Sequence, residues 1–380
     1  MTSAAQAPAA PAALEDQAHM ARALELAARG LYTTDPNPRV GCVVVKDGRV
    51  LGEGWHVRAG EAHAEVLALR AAGPEAHGST VYVTLEPCSH TGRTPPCVNA
   101  LLEAGVARVL CATIDPNTRV AGGGAARLEA AGIALSVGLL GAEARELNVG
   151  FFSRFERGRP FIRLKLAMSL DARTARASGD SAWISSEASR ADVQTWRARS
   201  GAILTGAGTV RSDDPRLDVR LAYGSWVRQP LRVLLDPMLS CATRAKLFQA
   251  HGALVFAATD APVRSEHAAR VERLPRAAGG LDLRAVVARL AALEINELLV
   301  ECGPRLAGSF MSADLVDELV LYVAPDLLGA DAAPLMHVSG LGPPGTLPHF
   351  EFQDVRRVGP DLRLILRPQA SRPQNTHSGT

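Results

Sequence analysis

The spacing of apolar positions predicts that the chain begins with a helix. After Asp16, apolar residues recur at helical intervals at Met20, Ala23 and Ala27, and Gly30 supplies a stop. This spacing places the apolar side chains on one face, which is typical of an amphipathic helix packed on a core.

A hairpin and a series of alternating segments follow. Val40–Lys46 is a β-branched run, Asp47-Gly48 favours a two-residue turn, and Val50–Glu53 returns as the second strand. The pattern then predicts helices at Ala64–Ala72, Val98–Ala104, Ala125–Ala131 and Glu143–Asn148, and strands at Thr80–Leu85, Val106–Thr113 and Ile133–Val137. Alternation of this kind predicts an α/β layer.

The chain changes character at the charged, aperiodic segment Arg154–Pro160, where we place a domain boundary. A second unit starts with the apolar strand Phe161–Met168. Its further segments are a helix at Glu187–Arg199 and strands at Ala202–Thr205, Leu231–Asp236, Ala253–Ala257, Glu297–Glu301 and Glu318–Ala324. The predicted organisation is, in order, an aperiodic tail at residues 1–15, a front domain at 16–153, a rear domain at 160–369 and a tail at 370–380.

Composition fits two soluble domains. The chain has 380 residues, of which 47% are hydrophobic and 21% charged, as in ordinary globular proteins. The 41 Lys and Arg residues nearly balance the 39 Asp and Glu residues, and no basic run is present, which disfavours a nucleic-acid substrate. No stretch approaches the ~20 apolar residues of a membrane span, and the N-terminus makes a poor secretion signal. We therefore expect a cytoplasmic protein; whether it forms a homo-oligomer is left open.

Two of the six cysteines stand out from the others. The set is too sparse for a disulfide framework, and four of its members lie in apolar surroundings. Cys88 and Cys97, in contrast, flank the polar, proline-rich segment Ser89–Pro96, where hydrophobic packing does not explain them.

These cysteines and the upstream triplet His63-Ala64-Glu65 match the pattern of zinc deaminases, in which one His and two Cys bind the metal and the Glu does not. Three ligands leave the fourth tetrahedral position for water. At a helix start, Glu65 diverges from the direction of His63 by roughly 200° of rotation. We therefore interpret Glu65 as the group that moves a proton between water and the leaving amine.

The alternatives are a structural zinc site with His90 as a fourth ligand, and two unrelated thiols near a surface histidine. Neither explains Glu65 or the proline before Cys88. Eight residues separate the two cysteines, whereas the usual spacing in zinc deaminases is C-x-x-C. This longer spacing reduces the number of deaminase families to which the chain can belong.

Longer motifs make the chain similar to one family, the bifunctional riboflavin-biosynthesis deaminase/reductases. The resemblance covers about residues 17–368. The segments that carry it are Thr33–Cys42, Gly54–His56, His63–Glu65, Thr84–Cys97, Leu164–Asp171, Ser178–Ile184, Asp213–Leu217 and Glu301–Gly308.

The resemblance implies a cytidine-deaminase-like α/β/α sandwich followed by a dihydrofolate-reductase-like α/β domain. It implies zinc-dependent deamination of 2,5-diamino-6-ribosylamino-4(3H)-pyrimidinone 5′-phosphate. It further implies NADPH-dependent reduction of the ribosyl group of 5-amino-6-(5-phosphoribosylamino)uracil to ribityl. The expected partner is thus a small phosphorylated pyrimidine, with no role for nucleic acid or membrane.

The resemblance also implies roles for individual residues. The zinc ligands are His63, Cys88 and Cys97, with Glu65 as the catalytic proton shuttle. The implied cofactor contacts are Ala167, Trp183, Thr209, Asp213 and the loop formed by Gly303, Pro304, Arg305, Leu306, Ala307, Gly308 and Ser309. The implied substrate contacts in the front domain are Asn37, His56 and His90. Those in the rear domain are Ser181, Arg197, Leu217, Arg220 and Glu301.

Two departures from the family pattern concern the rear domain. Ala172 follows Asp171 where the family commonly has Gly, and Pro237 follows Asp236 where it has Ser or Thr. The second removes a hydroxyl group and bears on cofactor affinity. The competing hypotheses are a deaminase acting on nucleic-acid bases, a zinc-stabilised binding module, and a true deaminase with a degenerate rear domain.

Overall fold

The computed structural model describes residues 11–90, 95–118, 120–175, 184–221, 227–249, 252–262, 269–277, 279–339 and 348–369. The chain divides into two compact units between Gly158 and Arg159, and we refer to them as the front unit and the rear unit. Among these residues, no helix combines the length and the apolar character that a membrane crossing requires.

Among its described residues, the front unit combines six α-helices with five strands. The helices are α1 (Pro11–Ala28), α2 (Ala64–Ala72), α3 (Cys97–Ala104), α4 (Gly123–Ala130), α5 (Gly141–Leu147) and α6 (Val149–Arg157). The strands are β1 (Gly41–Lys46), β2 (Arg49–Trp55), β3 (Thr80–Val83), β4 (Arg108–Cys111) and β5 (Ala134–Val137). Every strand predicted in this part is present, with bounds shifted by a few residues.

These strands form one sheet in the order β2-β1-β3-β4-β5. β1 pairs antiparallel with β2 and β3, whereas β3, β4 and β5 run parallel. Alternate residues of β1 enter different cores: Cys42 and Val44 belong to the cluster that includes α2 and α3, and Val43 and Val45 to the cluster that includes α1. Because side chains alternate across a strand, the sheet is covered by helices on both faces. The predicted α/β/α sandwich is confirmed.

Two boundaries of the front unit differ from the prediction. α1 begins at Pro11, so residues 11–15, expected in the tail, are helical. Proline is favoured at the first helical position, and the following alanines are strong helix formers. α6 continues through the charged segment to Arg157 because Phe151, Phe152 and Phe155 recur at helical spacing and pack together.

Glycines in β2 set the distance between that strand and α2. A Cβ atom at Gly52 would lie 2.2 Å from the carbonyl oxygen of Ala68, and one at Gly54 would lie 2.4 Å from that of Ala64. Both positions are therefore closed to any other residue unless α2 moves. The first turn of this helix carries Glu65, and His63 is its N-cap.

The rear unit contains four helices and thirteen strands among the described residues. The helices are α7 (Glu187–Arg199), α8 (Ala207–Asp213), α9 (Leu283–Ala292) and α10 (Pro304–Ser312). The strands are β6 (Phe161–Met168), β7 (Arg173–Ala175), β8 (Ala202–Gly206), β9 (Leu231–Leu235), β10 (Ala253–Ala258), β11 (Arg270–Leu274), β12 (Arg276–Ala277), β13 (Gly280–Leu281), β14 (Glu297–Glu301), β15 (Glu318–Val323), β16 (Ala333–Pro334), β17 (Phe350–Val358) and β18 (Asp361–Pro368).

Nine of these strands form a sheet in the order β11-β10-β9-β8-β14-β6-β15-β18-β17. The strands from β11 to β15 pair in parallel, and β18 and β17 add an antiparallel edge. The carboxyl ends of β9, β8, β14 and β6 consequently lie side by side. In open α/β sheets this edge is where ligands bind.

A buried ion-pair network ties three central strands together. Arg163 of β6 is 2% exposed and pairs with Glu297 of β14 and Glu318 of β15. Arg199 and Arg367 bind the same two carboxylates from α7 and β18. Since an unpaired buried charge costs several kcal/mol, the network disfavours any register that separates these partners.

We expect Gly54→Ala to lower the free energy of unfolding by about 1–3 kcal/mol, because the added methyl group meets helix backbone that cannot yield as a side chain would. Urea unfolding followed by circular dichroism measures the change. Gly48→Asn in the turn of the same hairpin is the matched control, since nothing lies within 4 Å of that Cβ position and asparagine tolerates the positive φ. Equal midpoints for the two variants would contradict the close approach of α2 to β2.

Candidate functional site

The structure brings the three predicted metal ligands together. Nδ1 of His63 lies 3.1 Å from Sγ of Cys97 and 3.6 Å from Sγ of Cys88, and the three ligand atoms lie within 4.8 Å of one another. A tetrahedral zinc ion with its usual bond lengths separates a nitrogen and a sulfur ligand by roughly 3.5 Å. The donor set and its spacing therefore fit zinc, and no other described His, Cys, Asp or Glu belongs to the group.

Two helix starts position these ligands. His63 is the N-cap of α2, with an extended backbone and no capping bond from its side chain, so its ring is available to a metal. Cys97 is the first residue of α3, and its backbone N–H donates to Sγ of Cys88 over 3.3 Å. First-turn N–H groups have no partner inside a helix, so a negatively charged sulfur satisfies one of them.

The electrostatics favour a thiolate at this point. Hydrogen bonding from Cys97 lowers the pKa of Cys88 to about 4, with His63 contributing in the same direction. The contact with Cys88 in turn raises the pKa of His63. The thiolate is the form that binds metals, so the surroundings of Cys88 suit its predicted role.

Glu65 lies beside the ligands without belonging to them. Glu65 is 3% exposed, and burial raises the pKa of its carboxyl group. A raised pKa brings a carboxyl group closer to the value at which it can both accept and return a proton near neutral pH. The position of Glu65 in the first turn of α2 agrees with the helical rotation expected from the sequence.

The predicted pyrimidine contacts divide into two groups. His56 is buried next to His63, with ring centroids 5.3 Å apart, and burial lowers its pKa. Its Nδ1 lies 3.2 Å from the carbonyl oxygen of Ala62, so that nitrogen carries the proton and Nε2 accepts from Nδ2 of Asn37 over 3.0 Å. His90 is exposed and lies outside the ligand cluster, which leaves the structural-site alternative without its fourth ligand.

Sequence reasoning missed Glu86, whose carboxylate anchors the loop that carries Cys88. Its residue is 4% exposed. Its two oxygens accept backbone N–H groups of Asp115, Gly122, Gly124 and Ala125 at 3.0–3.3 Å, at and before the start of α4. The signal available in the sequence was an acidic residue placed directly before Pro87 and Cys88 in an otherwise apolar run.

A cluster of charges lies at the carboxyl end of β14 in the rear unit. Nε and Nη2 of Arg197 donate to the two carboxylate oxygens of Glu301 at 2.6 and 2.9 Å, and Nη1 donates to the carbonyl oxygen of Asp218 at 3.1 Å. Burial would raise the pKa of Glu301, but Arg197 and Lys165 outweigh it, and the pKa is lowered. Arg197, expected to contact substrate, thus holds Glu301, whereas the guanidinium of Arg220 is largely exposed.

Lys165 is the residue of this cluster that the sequence did not reveal. It faces Glu301 across the β6–β14 ladder, and burial lowers the pKa of its amine. A lone lysine inside an apolar strand is a signal that could have found it, because lysine is seldom buried without a function or a partner.

The prediction that Gly303–Ser309 forms a loop is wrong, because the helix α10 begins at Pro304. Proline is favoured in the first turn of a helix, and the sequence reading treated it only as part of a turn. Gly303 is the N-cap, has no side chain to cap the helix, and donates its N–H to Oγ1 of Thr209 over 3.1 Å. This arrangement fits a phosphate-bearing cofactor such as NADPH, because the first turn of α10 offers backbone donors.

The remaining predicted contacts of the rear unit differ in how deeply they are buried. Ala307 belongs to the core, and Gly308 packs so closely on His337 that a Cβ would lie 1.8 Å from its carbonyl oxygen. Leu217 is buried with a positive φ of 50°. The other described positions are half-buried or exposed, namely Ala167, Thr209, Asp213, Pro304, Arg305, Leu306 and Ser309. Ser181 and Trp183 lie outside the described residues.

The structure shows the surroundings of Ala172 and Pro237, the two residues that depart from the family pattern. Ala172 adopts a positive φ of 57°, the conformation that glycine takes without strain, so this position tolerates alanine at a cost. Asp236 accepts hydrogen bonds from Oγ of Ser240 and N–H of Cys241 at 2.9 and 2.7 Å. Pro237 follows it in the turn beyond β9.

Comparison with known proteins decides what the two units are. Residues 14–113 match the family described as the cytidine and deoxycytidylate deaminase zinc-binding region, and residues 160–364 match the RibD C-terminal domain. The riboflavin biosynthesis protein RibD of Escherichia coli K12 is 50% identical over 364 residues, which cover 93% of this chain and 99% of that protein. The chain belongs to the RibD family. It is a bifunctional enzyme of riboflavin biosynthesis, with a deaminase that uses zinc and a reductase that uses NADPH.

Solved RibD structures support the same fold for the whole chain. Acinetobacter baumannii RibD superposes with a TM-score of 0.88 at 42% identity, covering 94% of this chain and 100% of that one. A Thermotoga maritima protein titled diaminohydroxyphosphoribosylaminopyrimidine deaminase/5-amino-6-(5-phosphoribosylamino)uracil reductase superposes with a TM-score of 0.83 at 32% identity, with coverage of 94% and 100%. The predicted pair of domains is therefore confirmed.

We expect Cys88→Ser and Cys97→Ser to lose most of the zinc bound by the wild-type protein, since a serine hydroxyl is a poor ligand for the ion. Metal content after desalting is measured by mass spectrometry. Cys111→Ser is the matched control, because that sulfur already donates to the carbonyl oxygen of Thr113 and a hydroxyl group can do the same. Full zinc retention by either of the first two variants would remove that cysteine from the ligand set.

Proposed function

We propose that the front unit deaminates 2,5-diamino-6-ribosylamino-4(3H)-pyrimidinone 5′-phosphate and that the rear unit reduces 5-amino-6-(5-phosphoribosylamino)uracil. The observation that carries the proposal is the meeting of His63, Cys88 and Cys97 with a buried carboxyl group that is not a ligand. A binding module stabilised by zinc has no need of Glu65 at that point. The name of the Thermotoga maritima protein supports the identity of both substrates.

In the proposed deamination, His63, Cys88 and Cys97 hold the zinc ion. When bound, zinc supplies the Lewis acidity that makes water a nucleophile near neutral pH. Glu65 accepts a proton from the attacking water and returns it to the amino group as the C–N bond breaks, so that ammonia leaves. Glu65 is buried, so its carboxyl group is shielded from bulk water.

His56 and Asn37 orient the pyrimidine in this proposal. The ring of His56 is fixed by the carbonyl oxygen of Ala62, and the amide of Asn37 is held by the ring. The amide oxygen of Asn37 then faces a defined direction and can accept from an amino group of the substrate. His90, which is exposed and lies two residues after Cys88, is the third pyrimidine contact in this proposal.

In the proposed reduction, NADPH supplies a hydride when bound, and the charges at the end of β14 hold the sugar phosphate. Arg197 fixes the carboxylate of Glu301, which accepts from ribose hydroxyl groups. Arg220, with its largely exposed guanidinium, binds the phosphate. Lys165 lies across the ladder from Glu301 and donates a proton to the ring oxygen as the bond between this oxygen and C1′ breaks. The hydride would then add to C1′, which converts the ribosyl group into ribityl.

Glu65→Gln separates the two activities. We expect the deamination rate to fall by ~100- to 10,000-fold, because glutamine keeps the shape of the side chain but cannot move the proton. Zinc content stays at the wild-type level, and reduction of the already deaminated aminouracil phosphate with NADPH proceeds at close to the wild-type rate. Products are separated by mass after incubation with and without NADPH.

Each result contradicts a different part of the proposal. Normal deamination by Glu65→Gln would remove the proton-shuttle role. Failure of the wild-type protein to reduce the aminouracil phosphate would leave a deaminase with a degenerate rear unit.

A further inference from the structure

The two sulfur ligands of the front unit come from separate segments of the chain. Cys88 lies in the loop after β3, and Cys97, with eight residues between them, is the first residue of α3. In a C-x-x-C spacing the two Cα atoms can separate by at most ~10 Å, whereas nine residue steps reach ~30 Å. A tetrahedral zinc ion holds two sulfur ligands roughly 3.8 Å apart. The length of chain between Cys88 and Cys97 therefore does not fix this separation, and other contacts have to.

The two segments meet directly at the start of α3. The N–H of Cys97 donates to Sγ of Cys88, and the N–H of Val98 donates to the carbonyl oxygen of Cys88, both over 3.3 Å. The bond to oxygen is at the long end of the usual range. Because both acceptors belong to Cys88 itself, these bonds bring the segments together without fixing either one to the rest of the front unit.

The start of α4 packs on the loop that carries Cys88. A Cβ atom at Gly124 would lie 1.9 Å from the carbonyl oxygen of Pro87, so the helix backbone touches the loop backbone there. The carboxylate of Glu86 accepts the N–H groups of Gly124 and Ala125 at 3.0 and 3.1 Å. The two residues that precede Cys88 are thus held against α4.

Arg127, one turn further along α4, contacts both cysteine-bearing segments. Its Nη2 donates to Oδ1 of Asn99 in α3 over 2.8 Å, and its Nη1 donates to the carbonyl oxygen of Ser89 over 3.3 Å. Ser89 directly follows Cys88 in the chain. Asn99 lies two residues after Cys97. Since the donors of a guanidinium group point in fixed directions, one side chain sets the spacing between the two acceptors.

We propose that Arg127 is a positioning residue of the zinc site. From a helix that Glu86 already ties to the loop, it holds the start of α3 and supplies the restraint that a C-x-x-C spacing builds into the chain itself. A site held in its binding geometry loses less conformational freedom when the metal binds, so Arg127 raises the affinity for zinc. This assignment rests on the proposed role of Cys88 and Cys97 as zinc ligands.

The test measures the zinc affinity of the full-length protein by competition with a chromophoric chelator. Arg127→Met keeps the unbranched stem of the side chain but cannot donate, and we expect it to weaken zinc binding by about tenfold. Asn99→Ala removes the acceptor in α3 and causes part of that loss. The combined variant binds zinc no more weakly than Arg127→Met, because the two substitutions remove the same contact.

Arg145→Met is the matched control. Arg145 is likewise an exposed arginine on a helix of the front unit, and it donates to both carboxylate oxygens of Glu156 at 2.8 Å. This variant keeps the wild-type zinc affinity. An equal loss of affinity in the control would overturn the assignment, since any exposed arginine would then have the same effect.

Urea unfolding of the metal-free proteins separates positioning from support of the fold. Because Arg127 is exposed, the midpoint of metal-free Arg127→Met equals that of the wild-type protein. Unchanged zinc affinity, strictly additive losses, or a loss accompanied by a lower metal-free midpoint would each overturn the positioning role alone. Absence of zinc binding by the wild-type protein, or full zinc retention by Cys88→Ser or Cys97→Ser, would overturn the proposed ligand set and this assignment with it.

Discussion

Backbone N–H groups in the first turn of a helix have no partner within the helix and need acceptors from outside it. Both sites are arranged around this requirement. In the front unit, the N–H of Cys97 at the start of α3 meets the sulfur of Cys88, and the carboxylate of Glu86 receives the N–H groups around the start of α4. In the rear unit, α10 starts at Gly303 without a capping side chain. A metal-bound thiolate and a cofactor phosphate are the acceptors that such helix starts favour.

The distance between α2 and β2 determines whether the front site can form. His63 and Glu65 lie at the start of α2, and glycines at 52 and 54 let that helix approach the strand backbone closely. The cysteines arrive from a different part of the chain, so their meeting with His63 depends on this packing. The same sheet therefore provides the core and positions the ligands.

Burial shifts the pKa values of titratable groups differently in the deaminase site and in the reductase site. In the front unit, burial raises the pKa of Glu65 and lowers that of His56, so both groups favour their neutral forms more than exposed ones do. In the rear unit, Arg197 outweighs the effect of burial and lowers the pKa of Glu301, and burial lowers the pKa of the Lys165 amine. One site is thus suited to moving a proton at a metal, and the other to binding a sugar phosphate beside a hydride donor.

The sequence predicted what depends on local pattern. The β1–β2 hairpin was readable from Asp47-Gly48. The cluster of His63, Cys88 and Cys97 was readable from the residue types and from the carboxylate two positions after His63. β18 was missed because its pattern is inverted: Asp361 and Arg363 are buried by ion pairs and hydrogen bonds, whereas Leu362 is exposed.

Ion pairs between residues far apart in the chain could not be predicted from residue spacing either. Arg197 and Glu301 lie 104 positions apart, so nothing in the sequence indicated that the arginine holds the carboxylate. The sequence predicts a loop where α10 begins at Pro304, because the glycines at 303 and 308 are typical of turns.

We infer that the zinc site has three protein ligands, His63, Cys88 and Cys97, and one open position. X-ray absorption at the zinc edge of the purified protein measures the coordination shell. We expect two sulfur neighbours at about 2.3 Å, one imidazole nitrogen at about 2.0 Å and one further light atom from solvent. A second imidazole or a third sulfur in the shell would mean that the site is closed, and would contradict a catalytic zinc site.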